Sequence, residues 1–368
     1  RAAILSGPDN HNAGGAMHQA PNQRDMPGYE SYLNEDIVAF PALLQQGGYN
    51  TYWAGKWHLG RQPHQTPDAR GFTRSFGLME GGASHYADAR GNRALGRPLA
   101  HYVENGVPVE RLPEDFYSSD FYTDYIIDSI DAGMKSGDPW FAFLAFTAPH
   151  WPLQAPDEYI AKYKGVYDDG YEVLRANRIA RARDLGVIPR EAEVYPRLEI
   201  VAPWNSLSDE EKAMSAKKME IYAGMVDSLD KNVGRLIEHL KAIGEYDNTF
   251  IMFIADNGAE GEDRENFIDL TGVEDIENHW TYDNSLENIG RPGSYVSYGP
   301  AWAQAGVGVM RYFKSRSSEG GTRGPAFIHH PDLSKKGEIN NAFASVVDLA
   351  PTFLELAGVT HPEPGFNG

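Results

Sequence analysis

Residues 214–258, MSAKKMEIYAGMVDSLDKNVGRLIEHLKAIGEYDNTFIMFIADNG, decide the class of fold. The nearly unbroken apolar run Thr249–Ala255 predicts a strand buried on both faces of a sheet. Gly244, shortly before it, is a typical helix stop. We predict a helix over Met214–Ile243, because apolar side chains recur every three or four residues along one stripe: Ile221, Met225, Leu229, Val233, Leu236 and Leu240. A helix that leads directly into a buried strand is the building unit of α/β folds.

The same alternation of helices and strands extends along the chain. Tyr49–Ala54 and Trp140–Phe146 are further apolar runs of strand length. Ile37–Gln46 and Val346–Ala357 predict helices that end at glycines. We therefore predict one α/β domain over residues 1–368, in which helices sandwich a mostly parallel central sheet.

The composition excludes several classes of function. A net charge of −19 argues against a nucleic-acid partner, which would require a basic face. No window approaches the roughly 18 apolar residues that a membrane helix needs, so we expect no membrane contact. The chain has no cysteine, which rules out disulfides and thiolate metal sites within it.

Each of the three predicted strands leads into a polar cluster. Tyr49–Ala54 is followed by GKWHLG at residues 55–60, Trp140–Phe146 by APHWP at 148–152, and Thr249–Ala255 by DNG at 256–258. Ligands of open α/β sheets bind beyond the carboxyl ends of the strands. The three clusters therefore predict one binding site.

The side chains in these clusters suit an anionic ester. Asp256 and Asn257 offer the oxygen ligands that Ca²⁺ or Mg²⁺ prefers, although Asp-Asn-Gly is also good turn chemistry. Lys56 and His58 project to the same side of an extended segment, where a cation and an acid–base group could act together. His150 lies between two prolines that would hold it rigidly. A surface lysine, a packed histidine and a capping histidine are the structural alternatives.

Two more candidates lie outside these clusters. Arg1 opens a short helix, Arg1–Leu5, that Ser6-Gly7 would end. A residue just ahead of it would sit at a helix N-terminus, which favours anions. Lys314 precedes a double-glycine turn and by itself is an ordinary surface lysine.

Taken together, these motifs resemble the type I sulfatases of the alkaline-phosphatase-like superfamily. Residues 55–60 match the second signature of that family, residues 148–152 its histidine loop and residues 256–259 its metal motif. RAAILSG at residues 1–7 is similar to the end of the first signature, Cys-x-Pro-x-Arg followed by a small helix. Further similarities to the bacterial arylsulfatases lie at residues 283–288, 298–300 and 302–304.

The resemblance implies hydrolysis of a small-molecule sulfate ester, with aryl sulfates as the expected class, through a covalent sulfo-enzyme intermediate. Asp256 and Asn257 would hold Ca²⁺, with Mg²⁺ as the less favoured ion. Arg1 and Lys56 would stabilise the deprotonated nucleophile. Fixed cations and a metal of this kind stabilise the charge that the transition state gathers on sulfate oxygens.

The same resemblance assigns the proton transfers. His150 and Lys314 would bind sulfate and protonate the leaving oxygen. His58 would take a proton from the remaining hydroxyl of the nucleophile, so that sulfate is expelled. Acid–base groups placed in this way typically contribute about 10²–10⁴-fold in rate.

The chain departs most from the family in lacking the nucleophile. In the family this residue is a formylglycine, which a maturation enzyme makes from Cys or Ser. It lies four residues before the signature arginine, which is ahead of Arg1, and two further aspartate ligands lie upstream of it. We therefore expect the chain to be an inactive fragment of a sulfatase catalytic domain. We interpret Pro362–Gly368 as a loop cut before a smaller C-terminal region, and localisation signals would lie outside the chain.

Two segments are candidates for walls or lids of the pocket. Asp157–Asp209 is charged and irregular in apolar spacing, so we interpret it as a peripheral helical insertion within the domain. His279–Trp302 is the second segment and is rich in aromatic side chains. For each, a purely structural role is the alternative.

Two other functions remain open on the same scaffold. The first is a phosphodiesterase or phosphonate monoester hydrolase, which would share the lysine, histidine and metal pattern. The second is a catalytically dead binding protein that keeps the fold. The alcohol-side pocket and the full metal shell distinguish the first from a sulfatase, and neither can be read from this sequence.

Overall fold

The computed structural model describes residues 1–15, 26–91, 99–263 and 282–360. The chain divides into two compact units. The first contains residues 1–92, 97–147 and 342–368, and the second contains residues 93–96 and 148–341. In the described residues, no helix is long and apolar enough to cross a membrane.

The first unit is built on a mixed sheet of five strands in the order β4-β3-β2-β1-β5. Its centre is parallel, because β1 pairs in parallel with both β2 and β5. β3 and β4 add an antiparallel edge, joined by Asn105 and Gly106, which both have positive φ as in a tight hairpin turn. The strands are Asn50–Lys56 (β1), Arg74–Leu78 (β2), Tyr102–Glu104 (β3), Val107–Val109 (β4) and Trp140–Ala145 (β5).

Helices cover both faces of this sheet. Successive side chains of a strand point to opposite faces, so β1 packs against helices on both sides. On one face, Tyr52 of β1 lies against Gly133 of α3. On the other, Trp53 stacks on Phe143 at 4.7 Å between ring centroids, in a core shared with α1, α2 and α9. The helices are Ala2–Ser6 (α1), Phe40–Gln46 (α2), Ser118–Gly133 (α3) and Leu349–Leu356 (α9). The α/β fold predicted from the sequence is confirmed.

The second unit contains the predicted helix–strand unit. Helix α6 spans Asp209–Ala242 and leads into β6, Ile251–Ile254. It begins five residues earlier than predicted, because Ser208 and Glu211 form a capping box that supports a charged first turn. β6 pairs antiparallel with β7, Ala326–His329, in a sheet of its own, and its residues are half-buried rather than fully buried.

The segment predicted as a helical insertion contains two helices and a 3₁₀ turn: Asp157–Ala161 (α4), Gly170–Asp184 (α5) and Trp204–Ser206. Helix α5 and the 3₁₀ turn share an aromatic core with α7, Gly299–Val307, where Trp302 is 1% exposed. Tyr171 and Trp204 each meet the Trp302 indole, at 5.5 and 6.0 Å between centroids. Buried aromatic side chains therefore pack this part of the segment against α7 within the second unit.

Several predicted boundaries shift for local reasons. Helix α2 begins at Phe40 rather than Ile37, with Pro41 in its first turn. The helix predicted over Val346–Ala357 begins as a 3₁₀ turn, Val346–Asp348, before α9. Residues 279–281 of the aromatic segment and residues 362–368 of the terminal loop lie outside the described residues.

Candidate active site

Lys56 is the last residue of β1. The strand runs two residues beyond its predicted end, because Gly55 and Lys56 still pair with β2. Gly55 has a φ of 122°, and a Cβ there would lie 1.9 Å from the Ala145 carbonyl oxygen, so only glycine fits. Lys56 is 7% exposed. A charged ammonium this deeply buried requires acceptors around it, as at a site for an anion.

His58 lies two residues further on, in a loop that its neighbours hold rigidly. The Trp57 indole is fully buried and donates to the Gln65 carbonyl oxygen at 2.8 Å. His58 itself has a φ of 57°, a backbone conformation that non-glycine residues rarely adopt. A Cβ at Gly81 would lie 2.7 Å from its ring, so this glycine makes room for the imidazole. The loop therefore fixes the backbone of His58, while Gly81 leaves space for its ring.

Arg1 stands immediately before α1, which spans Ala2–Ser6 rather than the predicted Arg1–Leu5. Its carbonyl oxygen accepts from the Leu5 N–H at 3.0 Å, and every residue of α1 is buried. Arg1 is half-buried, so the helix anchors its backbone while the guanidinium keeps some access to solvent.

His150 lies on the loop that follows β5. Its Nδ1 is 2.7 Å from the Trp151 carbonyl oxygen, which can only accept, so Nδ1 carries a proton. The imidazole also packs on the Trp151 indole, at 4.3 Å between centroids. Nε2 is then the nitrogen that would exchange a proton with a substrate.

The Asp-Asn-Gly loop follows β6 and packs tightly against α8, Glu319–Thr322. A Cβ at Gly258 would lie 1.8 Å from the Gly320 carbonyl oxygen, so the two backbones can approach this closely only because residue 258 is a glycine. The Gly258 N–H donates to the Gly321 carbonyl oxygen at 3.0 Å. Asp256 is exposed, and the Asn257 amide donates to the Gly258 carbonyl oxygen at 3.0 Å, which leaves Oδ1 as a possible ligand.

Lys314 is held beside this loop, although the two are distant in sequence. Its backbone N–H donates to the Ala259 carbonyl oxygen at 2.9 Å. Its ammonium forms an ion pair with Glu260 at 2.8 Å. The structure thus brings Lys314 to the Asp-Asn-Gly loop and adds a carboxylate that the sequence analysis missed. The only clue in the sequence was that Glu260 follows Asp-Asn-Gly-Ala directly.

Two half-buried tyrosines, Tyr222 and Tyr298, lie near Glu260. The Tyr222 and Tyr298 rings meet edge to face, at 4.7 Å between centroids. Burial raises the pKa of Tyr298 well above its ordinary value, and Tyr222 and Glu260 add to that effect. Burial also raises the pKa of Tyr222. Both side chains are therefore neutral hydroxyl groups at physiological pH.

The donor chemistry of the Asp-Asn-Gly loop fits a hard cation in part. Asp256 and Asn257 supply oxygen ligands, as Ca²⁺ prefers. Within the described residues, however, no group of three or more His, Cys, Asp or Glu side chains could hold a metal ion. Because Ca²⁺ takes about six to eight oxygen ligands, this pair could form only part of a coordination shell.

Lysine, histidine and Asp-Asn-Gly thus stand at or directly after the ends of strands in an α/β fold. The sequence matches the Sulfatase family over residues 1–359, and the chain belongs to that family, whose members hydrolyse sulfate esters. An uncharacterized sulfatase of Schizosaccharomyces pombe is 45% identical over 379 residues, covering 100% of this chain and 68% of the relative. An arylsulfatase of Klebsiella aerogenes is 39% identical over 362 residues, covering 98% of this chain and 76% of the relative. The crystal structure of Ps i-CgsB has a TM-score of 0.62 at 25% identity, covering 100% of this chain and 63% of that one.

Proposed function

We propose that the protein is an arylsulfatase, which hydrolyses aryl sulfates to a phenol and inorganic sulfate. The observation that carries this proposal is the similarity to an arylsulfatase over nearly the whole chain. The buried Lys56 and His58 two residues further on support it, because a charged lysine and an imidazole together suit an anionic ester.

The proposed roles follow from chemistry and position. Arg1 and Lys56 stabilise negative charge on the nucleophile and the sulfate oxygens. His150, anchored through Nδ1, donates a proton from Nε2 to the leaving phenol oxygen. His58 accepts a proton when sulfate is released, and Lys314 binds a sulfate oxygen.

Formylglycine would supply the nucleophile, and the family motif places it four residues before the position that Arg1 matches. We propose that residues 1–368 alone do not turn over, because none of them occupies the nucleophile position of this motif. The test compares residues 1–368 with the same chain preceded by its genomic upstream codons, each co-expressed with a formylglycine-generating enzyme. Turnover of an aryl sulfate by the shorter polypeptide would refute the missing-nucleophile proposal. A residue other than Cys or Ser at the nucleophile codon would favour a binding protein.

Substrate class is tested on the longer polypeptide with an aryl sulfate and an aryl phosphodiester that share one phenol. We expect a higher kcat/KM on the sulfate. A much higher value on the phosphodiester would replace the sulfatase proposal with a phosphodiesterase or phosphonate monoester hydrolase. Replacing His150 by Ala should slow esters of poor leaving groups more than those of good ones, and equal losses would refute its acid role.

Asp256 and Asn257 are proposed as ligands of Ca²⁺, which would polarise a sulfate oxygen when bound. Chelation should abolish activity of the longer polypeptide, and Ca²⁺ should restore it better than Mg²⁺ does. Calcium binding measured by isothermal titration calorimetry should weaken in an Asp256→Ala variant. Full activity in metal-free protein would remove both residues from this role.

A further inference from the structure

The Glu260 carboxylate is fixed through both of its oxygens. Oε1 accepts the Glu262 backbone N–H at 3.0 Å, and Oε2 lies 2.8 Å from the Lys314 ammonium. The side chain is 14% exposed, so little water competes for it. A carboxylate held in this way offers the lysine one defined position.

Lys314 is fixed at two points as a result. Its backbone N–H is bonded to the loop that carries Glu260, and its ammonium is bonded to the carboxylate. An ammonium has three N–H donors, so two remain to face an anion. A free lysine side chain would lose rotamer entropy on adopting one geometry. Glu260 has already imposed that geometry before substrate arrives.

We infer that Glu260 is a positioning residue for the reaction, acting through Lys314. This inference rests on the proposed function, in which Lys314 binds a sulfate oxygen. A cation that is already in position stabilises the charge that develops in the transition state, because it does not have to rearrange first. Glu260 itself is an anion close to an anionic substrate. Its loss should therefore lower kcat without raising KM.

The chain contains a matched ion pair for a control. Glu220 accepts the Gly165 backbone N–H at 2.7 Å through Oε1 and the Lys217 ammonium at 3.1 Å through Oε2. Its side chain is 7% exposed and that of Lys217 is 29% exposed, close to the 14% and 27% of Glu260 and Lys314. Replacing Glu220 by Gln makes the same chemical change in a pair with no proposed role in the reaction.

The experiment measures kcat and KM of the longer polypeptide on an aryl sulfate. Variants are Glu260→Gln, Glu220→Gln, Lys314→Ala and the double variant at 260 and 314. We expect Glu260→Gln to lower kcat about 10- to 100-fold, in the range that small misplacements of catalytic groups cost. Glu220→Gln should leave kcat unchanged. The double variant should match Lys314→Ala alone, because Glu260 has nothing left to position.

The outcomes separate the two proposals. Wild-type kcat in Lys314→Ala would refute the role of Lys314 and the inference with it. A large loss in Lys314→Ala with none in Glu260→Gln would overturn the inference alone. Multiplicative losses in the double variant, or an equal loss in Glu220→Gln, would also overturn it. Circular dichroism checks that each variant folds, and Glu260→Asp, which keeps the charge but shortens the reach, replaces a Gln variant that does not.

Discussion

Replacing Gly258 by alanine tests whether the Asp-Asn-Gly loop depends on close backbone packing. The new Cβ would lie 1.8 Å from the Gly320 carbonyl oxygen, whereas contacts shorter than 3.0 Å essentially never occur. The backbones must therefore separate by at least about 1.2 Å, the difference between these distances. Gly320 cannot easily retreat, because a Cβ built there would itself lie 2.0 Å from the Tyr312 carbonyl oxygen.

The size of the effect follows from that displacement. Overpacking a filled site typically costs about 1–3 kcal/mol of folding stability. A shift of about 1 Å in catalytic groups can cost about 10²-fold in rate. We expect Gly258→Ala to lose stability in that range, to weaken calcium binding through Asp256 and Asn257, and to lower kcat/KM about 100-fold.

Urea unfolding, calcium titration and kcat/KM measure the three effects, with Gly234→Ala as the control. Gly234 lies within α6, and a Cβ there meets nothing within 4 Å. Alanine should stabilise that helix by roughly 0.5–1 kcal/mol and leave activity unchanged. A Gly258→Ala protein with wild-type stability and activity would show that the loop adapts freely, and the packing argument would be wrong.

Three further predictions concern stability and the placement of His58. Burial raises the pKa of Tyr122 from 10.0 to about 12. At pH values between these two pKa values, the unfolded chain loses the Tyr122 proton, whereas the folded chain keeps it. Stability should therefore fall by up to about 3 kcal/mol as pH rises from about 10 through about 12. Tyr122→Phe should flatten that part of the curve of unfolding free energy against pH, and an unchanged curve would contradict the prediction. Ser208→Ala removes the acceptor for the Glu211 N–H at the start of α6, and urea unfolding should show a loss of about 0.5–2 kcal/mol. No loss would mean that the cap is not formed in solution. Gly81→Ala places a Cβ 2.7 Å from the His58 ring, a side chain that can move aside. Stability should change little while kcat falls up to about 10²-fold, and wild-type kcat would argue against a catalytic His58.

Local patterns predicted the framework of the fold. The apolar stripe of α6 and the apolar run of β6 are both contained in one short segment, so both were found. The first turn of α6 was missed because it is charged, although Ser208 and Glu211 are a recognisable capping box. Nothing in the sequence of β6 selected β7 as its partner, since strand pairing depends on residues far along the chain.

In the candidate site, too, residues in local motifs were predicted, whereas contacts between distant segments were not. Lys56, His58 and His150 were singled out because each stands in a short motif after a strand, and their roles stay predictions. The Glu260–Lys314 ion pair was missed, because it joins two segments that only the fold brings together. The sequence also did not show that Lys56 is buried, because the same motif is compatible with a surface lysine.

The first unit is completed by residues that follow the second unit along the chain. Ala350 and Leu354 of α9 are 4% and 2% exposed in the core that also contains α1 and α2. At about 5–20 residues per second, a ribosome needs about 10–40 s to travel from residue 147 to residue 354. The second unit, by contrast, is nearly one continuous stretch, residues 148–341. Residues 1–147 should therefore wait with an open apolar core, as a client for chaperones, until α9 emerges.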